Sequence, residues 1–486
     1  MNLKVQKAAL SMVWVFLLVG CFSATLSAQD DPAPPILEGG VLEGGVLDDG
    51  ADDPPPPPRR RRGNRGRRQP PPAETPEPKE EKKEEDAKDD RWFAVVGGTI
   101  HTVTDGVITD GTILVKNGRI HEIGIRLPLP PKTEVLAVDG HHVYPGLVAV
   151  DSTGIVSSPT DTDPYSFNML LALAGGITTA RSGSDILKLT YGTLEGHALG
   201  TSPFVTVRYT NRDPDGRRKL REAFERIREF KRELARHAEA KKKDPALEEL
   251  DRKWIRGLYS TAEKLIDHKG VAYSEVTEAN EIRDLCALAE RFGFDLVLNG
   301  AAEGWLVASD IARARARVIV TPRARRDPDT RRLTPNGGTI ENAAVLHAHG
   351  VPLAIFPVGS LFSPGGGVSL SGLAGRDLLN LPLEAAFAVR GGMPNEAAVR
   401  AITLDAAKIL GVDDRIGSIE VGKDADFVVT DGDLLHYLTL PQYTIVNGRV
   451  AYDQDKAKLL DHIRPGGDPE PQAPPDSWPR RLGEPF

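Results

Sequence analysis

The sequence predicts an α/β protein with a (β/α)8 TIM-like barrel and a small β-sandwich domain built from both ends of the folded region. Three observations favour this fold class. Apolar strands alternate with helical segments over residues 147–411, as in a parallel sheet with helical crossovers. Short strands also precede this region, at 91–146, and follow it, at 412–455. Each of these two groups is too small to bury a core alone, so we expect them to pair.

Residues 1–28 have the composition of an export signal. Lys4 and Lys7 provide a basic start, and the apolar run that follows is shorter than the ~20 residues that span a membrane. The segment Leu18-Val-Gly-Cys21 resembles a bacterial lipobox, which predicts lipidation of Cys21 and a membrane anchor. Cleavage after Ala28 is the alternative. Both alternatives predict an exported protein of the periplasm or cell envelope.

Residues 29–90 are predicted to be a disordered linker, because runs of proline, arginine and mixed charge bury too little apolar area to offset chain entropy. An arm whose arginines bind anionic envelope polymers is the alternative. Residues 456–486 form a Pro-rich tail. The net charge of −8 gives no reason to expect a nucleic-acid partner. Of the two cysteines, Cys286 is expected to be a small buried hydrophobe.

The expected elements follow in chain order. Asn117-Gly118 is a strong hairpin signal, and Gly97-Gly98 is expected to turn the chain. Before the barrel we expect strands at 92–96, 99–103, 111–115, 119–123 and 135–139. Apolar runs predict barrel strands at 148–150, 177–180, 203–207, 270–274, 295–298, 318–320 and 351–356. Helical spacing predicts helices at 168–174, 217–243, 279–292, 305–314, 343–349, 383–389 and 395–410. The long charged helix is expected to have a solvated outer face.

The most specific motif lies near the C-terminal end of the folded region. The helix at 395–410 is followed by short strands with glycine turns, in the patterns Thr-x-x-x-Ala-x-x-Leu-Gly and Gly-x-Ile-x-x-Gly-x-x-Ala-Asp. The residues in register are Thr403, Ala407, Leu410, Gly411, Gly417, Ile419, Gly422, Ala425 and Asp426. This block strongly resembles the C-terminus of the amidohydrolase superfamily. The chain from 91 to 452 looks most like the imidazolonepropionase-like branch of that superfamily.

The resemblance implies a composite fold and a hydrolase. The barrel would span 147–411, and the sandwich would combine 91–146 with 412–455. The activity implied is hydrolysis of non-peptide carbon–nitrogen bonds by a metal-bound water. In the superfamily, the ligands of that metal lie at the C-terminal ends of barrel strands.

The metal ligands of the superfamily are missing from this sequence. The segment 145–154 resembles the strand-one motif Pro-Gly-Leu-Ile-Asp-x-His-x-His, but Asp151 and Thr153 replace the two histidines. At the later ligand positions stand Ser274, Glu275 and Thr277, then Asn299 and Gly300, and finally Phe356-Pro-Val-Gly-Ser360. His347 and His349 lie two apart on a predicted helix, where side chains diverge. We therefore predict neither a bound metal nor another cofactor.

Carboxylates remain at the predicted strand ends. Asp151 and Glu275 are the candidate catalytic residues, since paired acids could perform acid–base chemistry without a metal. Glu303 is a further acid of this kind. The alternative is that these side chains only tolerate solvent at the barrel rim. The glycine-rich segment 361–367 is expected to be a mobile loop.

These observations together predict an exported, catalytically degenerate protein with an amidohydrolase-like barrel. Such a barrel could still bind a small molecule or a peptide in its mouth, or serve as an assembly partner. Two alternatives stay open: a metal-free hydrolase with a rebuilt acidic site, and a structural protein of the cell envelope. The sequence makes no prediction of the oligomeric state.

Overall fold

The computed structural model describes residues 90–457 and 459, apart from 153–154, 157, 325 and 358–373. The predictions for 1–28, Cys21, the linker up to residue 89, Thr153, the loop 361–367 and nearly all of the tail lie outside the described residues. In the described part of the chain, no helix has the length and apolarity needed to cross a membrane.

Strands from both ends of the described region form one eight-stranded sheet. These strands are β1 (Trp92–His101), β2 (Val107–Lys116), β3 (Arg119–Ile125), β4 (Glu134–Ala137), β5 (His142–Pro145), β15 (Phe427–Thr430), β16 (Pro441–Val446) and β17 (Arg449–Asp453). The order is β17-β16-β15-β5-β1-β2-β3, with β4 beside β1. β15 pairs antiparallel with β5, and a separate apolar core that includes Phe93 and Phe427 lies against this composite sheet.

The prediction of two strands separated by a turn at Gly97-Gly98 is wrong. β1 runs through both glycines, and its register with β2 shifts on either side of Gly98. Gly97 has φ +86°, and a Cβ there would lie 2.1 Å from the Asp139 carboxylate. The glycines therefore make a bulge inside one strand rather than a reversal of the chain. The hairpin turn at Asn117-Gly118 between β2 and β3 is confirmed.

The middle of the chain forms the barrel strands in two sheets. They are β6 (Leu147–Ala149), β7 (Ile177–Ser182), β8 (Asp185–Lys188), β9 (Ala198–Thr201), β10 (Phe204–Thr206), β11 (Val271–Val276), β12 (Leu296–Gly300), β13 (Arg317–Val320) and β14 (Leu353–Ile355). β10 to β14 are parallel neighbours, and β6 is parallel to β7. The antiparallel strands β8 and β9 were not predicted.

Helices alternate with these strands and share the largest apolar core with them. They are α1 (Phe167–Ala174), α2 (Pro214–Lys243), α3 (Leu258–Ile266), α4 (Ala279–Phe292), α5 (Ala308–Arg313), α6 (Asn342–Ala348), α7 (Ala374–Leu378), α8 (Leu381–Arg390), α9 (Asn395–Ala401), α10 (Leu404–Leu410) and α11 (Gln454–Ala457). α2 buries Leu220, Phe224 and Ile227 and exposes its charged face, as predicted. A TIM-like barrel with a small β domain is confirmed as the fold class.

The single helix predicted at 395–410 is instead two helices. The helix is interrupted at Ile402 and Thr403. Thr403 has φ −129° and ψ −97°, which are not helical values. The carbonyl of Ile402 accepts a hydrogen bond from Val148 N at 3.0 Å. Thr403 Oγ1 donates to Val399 O at 2.8 Å. The break therefore occurs where a carbonyl leaves the helix to bind the first barrel strand, a long-range contact that helical periodicity does not reveal.

A buried ionic group, the Lys188 cluster, joins the barrel to the composite sheet. Lys188, at the end of β8, is fully buried. Its Nζ lies 2.8 Å from Asp424 Oδ2, 2.8 Å from Asp426 Oδ2 and 2.6 Å from Asn447 Oδ1. The contact with Asp426 Oδ2 is ionic rather than a well-directed hydrogen bond. Arg415 Nη2 donates to Asp424 at 2.6 Å and completes the group.

We expect Lys188→Met to lower the free energy of unfolding by about 3–5 kcal/mol, because it leaves buried carboxylates without their shared cation. Urea denaturation of the full chain measures this difference. Lys242→Met is the matched control, since the Lys242–Glu239 pair lies at the surface and contributes little. A change as small as that of the control would show that Arg415 alone compensates Asp424.

A stacked pair of histidines lies on the composite sheet. His101 Nε2 and His142 Nδ1 are 2.9 Å apart, and the His101 ring stacks on Tyr144 at 4.1 Å. Burial, with a smaller effect of His142, lowers the pKa of His101 to about 4, and Asp433 opposes this shift. His101 is therefore neutral in the folded protein above about pH 4. In the unfolded chain a histidine becomes charged already below about pH 6.5.

The depressed pKa of His101 predicts a loss of stability in acid. Between about pH 6.5 and pH 4 the unfolded chain binds a proton that the folded protein does not, so stability falls as the pH falls. With allowance for partial solvent exposure, the loss is about 1–3 kcal/mol. We expect His101→Gln to remove that part of the pH dependence, measured as urea unfolding at several pH values. Parallel curves for the two proteins would contradict the assignment.

Candidate functional site

Asp151 lies at the barrel mouth, just beyond β6, and both of its carboxylate oxygens are engaged. Oδ1 accepts a hydrogen bond from Arg181 Nη2 at 2.8 Å. Oδ2 accepts one from the Tyr273 hydroxyl at 3.2 Å. The three side chains come from β6, β7 and β11, so they connect the two barrel sheets. We call them the mouth triad. The Asp151 side chain is one-third exposed.

Arg181 is the fixed centre of the mouth triad. Its side chain is only 9% exposed. Nε donates to Val150 O at 2.8 Å and Nη1 donates to Gly183 O at 2.7 Å. The guanidinium also lies about 5 Å from the rings of Phe204 and Tyr273. Three acceptors and two aromatic rings thus hold one cation at the position where the first strand ends.

Tyr273 acts as a hydrogen-bond donor in this arrangement. Burial raises the pKa of its phenol, and the negative charge of Asp151 raises it further. The hydroxyl therefore keeps its proton at neutral pH. Both oxygens of Asp151 accept hydrogen bonds from the protein, so contact with a substrate proton would require the bond to Arg181 or to Tyr273 to weaken.

Glu275, the second predicted site residue, lies on the same face of β11 as Tyr273, since side chains two apart in a strand share a face. Its side chain is exposed, and its charge contributes to the raised pKa of Tyr273. Within the described part of the chain, no hydrogen bond or ion pair joins Glu275 to Asp151. The structure therefore places Asp151 in the mouth triad and leaves Glu275 at the rim.

Glu303, the third acid singled out in the sequence, is 2% exposed and has a structural environment. Its oxygens accept from the backbone N–H groups of Ala279 and Gly337, both at 2.9 Å. Arg326 Nε lies 3.2 Å from Oε1. These contacts attach the loop after β13 to the ends of β11 and β12, so Glu303 is an anchor of that loop rather than a rim residue.

The same loop carries further arginines that pair with acids. Arg323 donates from its backbone N at 2.6 Å and from Nε at 2.8 Å to the fully buried Glu384. Arg326 and Arg332 both bind Glu278. Burial raises the pKa of Glu278, but its hydrogen bonds to the two guanidinium groups outweigh burial and lower it. Carboxylates near the ends of several barrel strands are thus compensated by arginines of the protein itself.

The residues described here do not fit a metal centre. Among the described residues, no group of three or more His, Cys, Asp or Glu side chains is placed to hold a metal ion. Asp151, the one carboxylate at the strand-one position, is bound to a guanidinium that would repel a second cation. His349 caps the C-terminal end of α6, with its Nδ1 2.8 Å from Val345 O.

Two members of the mouth triad were missed in the sequence. Arg181 directly follows the predicted strand at 177–180, and Tyr273 lies two residues before Glu275 in a predicted strand. Strand alternation could have placed both on the barrel-facing side. Cys286, in contrast, is buried as predicted, and burial raises the pKa of its thiol to about 12.

Comparison with known proteins identifies similar sequences and structures. Residues 339–458 match the family model described as amidohydrolase family. The amidohydrolase tasK of Hapsidospora irregularis is 36% identical over 95 residues, which are 19% of this chain and 10% of that protein. An imidazolonepropionase of Bacteroides fragilis is 45% identical over 69 residues, 14% of this chain and 16% of the relative. The chain thus aligns with less than a fifth of the length of either relative.

The fold is similar to that of a solved structure. The crystal structure of an amidohydrolase from Thermotoga maritima MSB8 superimposes with a TM-score of 0.56 and 22% sequence identity. The match covers 74% of this chain and 100% of the other. At this identity the likeness concerns the fold alone.

We expect Arg181→Met to lower the free energy of unfolding by about 2–4 kcal/mol, because it removes three hydrogen bonds and leaves Asp151 without its cation. Asp151→Asn should have a smaller effect, since an amide oxygen can still accept from Arg181. Urea unfolding of the full chain measures both differences. Arg126→Met is the control, as the Arg126–Asp110 pair is largely exposed. Equal stability of Arg181→Met and wild type would contradict a structural role for this arginine.

Proposed function

We propose that this chain is an exported, degenerate member of the amidohydrolase superfamily that keeps the barrel and has lost metal-dependent hydrolysis of carbon–nitrogen bonds. In this proposal the barrel mouth binds a small molecule or a peptide without converting it. One observation carries the proposal: the Arg181 guanidinium binds the carboxylate of Asp151, the residue at the strand-one ligand position.

The chemistry of the mouth triad supports a binding role. A metal-activated water needs several neutral or anionic ligands that converge on one point. Here the point on which the ligands converge is occupied by the Arg181 guanidinium. Main-chain carbonyls and Asp151 accept its hydrogen bonds. The exposed Glu275 at the rim is accessible to a ligand. The Tyr273 hydroxyl donates its proton to Asp151, and its oxygen can accept a hydrogen bond from a ligand.

The second candidate is a metal-free hydrolase with an acidic site. The protonated phenol of Tyr273 favours it, because this hydroxyl could stabilise a developing oxyanion if it exchanged its hydrogen bond to Asp151 for one to the substrate. The two hydrogen bonds that Asp151 already accepts are against it. A structural role in the cell envelope is the third candidate. It depends on residues before 90, as does the proposal of export.

The first test is elemental analysis of the full chain, purified without chelators and without added metal. We expect zinc, iron, nickel and manganese at background level, and no rise of the melting temperature when Zn²⁺ or Mn²⁺ is added, because the described donors do not converge on a cation site. A metal-dependent amidohydrolase purified in parallel is the control. Near-stoichiometric metal in this protein would contradict the proposal.

Turnover assays on a panel of cyclic amides separate the two candidates. A degenerate barrel converts none of them, with or without metal. Turnover without metal that is lost in both Asp151→Asn and Glu275→Gln would support the acidic hydrolase instead. Arg126→Met, in an exposed ion pair with Asp110 on the composite sheet, serves as the variant that should leave any such activity unchanged.

A further inference from the structure

A second concave site lies at the composite sheet. It is a cleft of about 490 Å³ between the β2–β3 turn, the loop that joins β8 to β9, and the β16–β17 turn. None of the mouth-triad residues lines it. We call it the hairpin cleft. Its volume is that of a small-molecule site.

Two similar turns deliver arginines to the hairpin cleft. Asn117-Gly118-Arg119 and Asn447-Gly448-Arg449 each place asparagine and glycine at positive φ, the conformation of a tight hairpin turn. Both turns are held by one residue: Ala425 N donates to Gly118 O at 2.8 Å, and Gly448 N donates to Ala425 O at 2.8 Å. The residue after each glycine is an arginine, and both arginines line the cleft.

Positive charge exceeds negative charge on the lining of the cleft. Arg119, Arg415 and Arg449 face only two carboxylates, those of Glu195 and Asp424. Asp424 is shared, because it binds Arg415 at 2.6 Å and lies 3.8 Å from Arg119. It also compensates the buried Lys188 at 2.8 Å. One carboxylate therefore serves three cations.

The arginines of the cleft are accessible to a ligand. The side chains of Arg119 and Arg449 are 61% and 45% exposed. Glu195, the partner of Arg449, is itself 72% exposed, so this ion pair contributes little and is easily exchanged. Arg91 donates to Gly448 O beside the cleft, and its pKa is lowered by burial and by the charge of Arg449. A bound anion would relieve this repulsion.

We propose that the hairpin cleft binds a small anion that carries phosphate or carboxylate groups, with Arg119 and Arg449 as its main contacts. The planar guanidinium groups match the oxygen geometry of both anion types. Two arginines brought together by similar turns favour a ligand with two acidic groups over a monoanion. This site shares no residue with the mouth triad, so it stands or falls separately from the proposed function.

Calorimetric titration of the full chain tests the site, with pyrophosphate and citrate as probes. Chloride keeps the ionic strength constant, so that general screening does not change between injections. We expect one-to-one binding of at least one probe. We expect Arg119→Gln combined with Arg449→Gln to weaken it at least about tenfold, because charge-assisted bidentate contacts are lost.

The matched control is Arg218→Gln combined with Arg226→Gln, which removes two paired, solvent-exposed arginines from α2 and should leave the affinity unchanged. Melting curves of both double variants establish that they are folded. Binding of pyrophosphate alone would assign a phosphate ligand, and binding of citrate alone would assign a carboxylate ligand. Absence of binding by both probes, or equal weakening in the two double variants, would overturn the proposal.

Discussion

The buried ammonium of Lys188 is the contact on which the attachment of the composite sheet to the barrel sheet with β8 depends. Asp424 and Asp426 flank Ala425 immediately before β15, and the carbonyl of Asp426 accepts from Gly146 N at 2.9 Å, just before β6 begins. Lys188 ends β8 in the barrel. Through Asp424 and Asp426, the ammonium of Lys188 therefore links three segments: the start of β6, the β8–β9 hairpin and β15. Removal of one partner leaves charges that water cannot reach.

At the barrel mouth, arginines compensate carboxylates in the same way as Lys188 compensates Asp424 and Asp426. Asp151 is compensated by Arg181, Glu303 by Arg326 and Glu384 by Arg323. Since two of these acids are almost fully buried, an uncompensated charge there would be costly. The arginines also donate to main-chain carbonyls or lie over aromatic rings, as Arg181 and Arg323 do. The strand ends are thus stabilised by ion pairs internal to the protein.

Local patterns in the sequence predicted the fold. The places where the structure differs from the predicted elements are produced by long-range contacts. The motif from Gly417 to Asp426 and the alternation of strands and helices were enough for the barrel and its small β domain. The helix break at Ile402 depends on Val148, about 250 residues away in the chain, and the bulge at Gly97 depends on Asp139. No periodicity carries such information. Strand alternation could place Arg181 and Tyr273 on the barrel-facing side, but their contacts with Asp151 are likewise long-range and do not show in a local pattern.

The partners of Asp151 change what that residue can mean for function. Considered alone, a carboxylate at the end of the first strand suggests either a remnant of a metal site or a new general base. A remnant ligand would be expected to keep its oxygens free of donors from the protein. Asp151 instead accepts a hydrogen bond from a guanidinium that is itself buried, donates to Val150 O and Gly183 O, and lies about 5 Å from two aromatic rings. Asp151 has Arg181 as its counter-charge, and the 9% exposed guanidinium has this carboxylate as one of its three acceptors. The pair is therefore a structural unit in its own right, and any ligand of the barrel mouth would meet a surface that is already neutralised at this point.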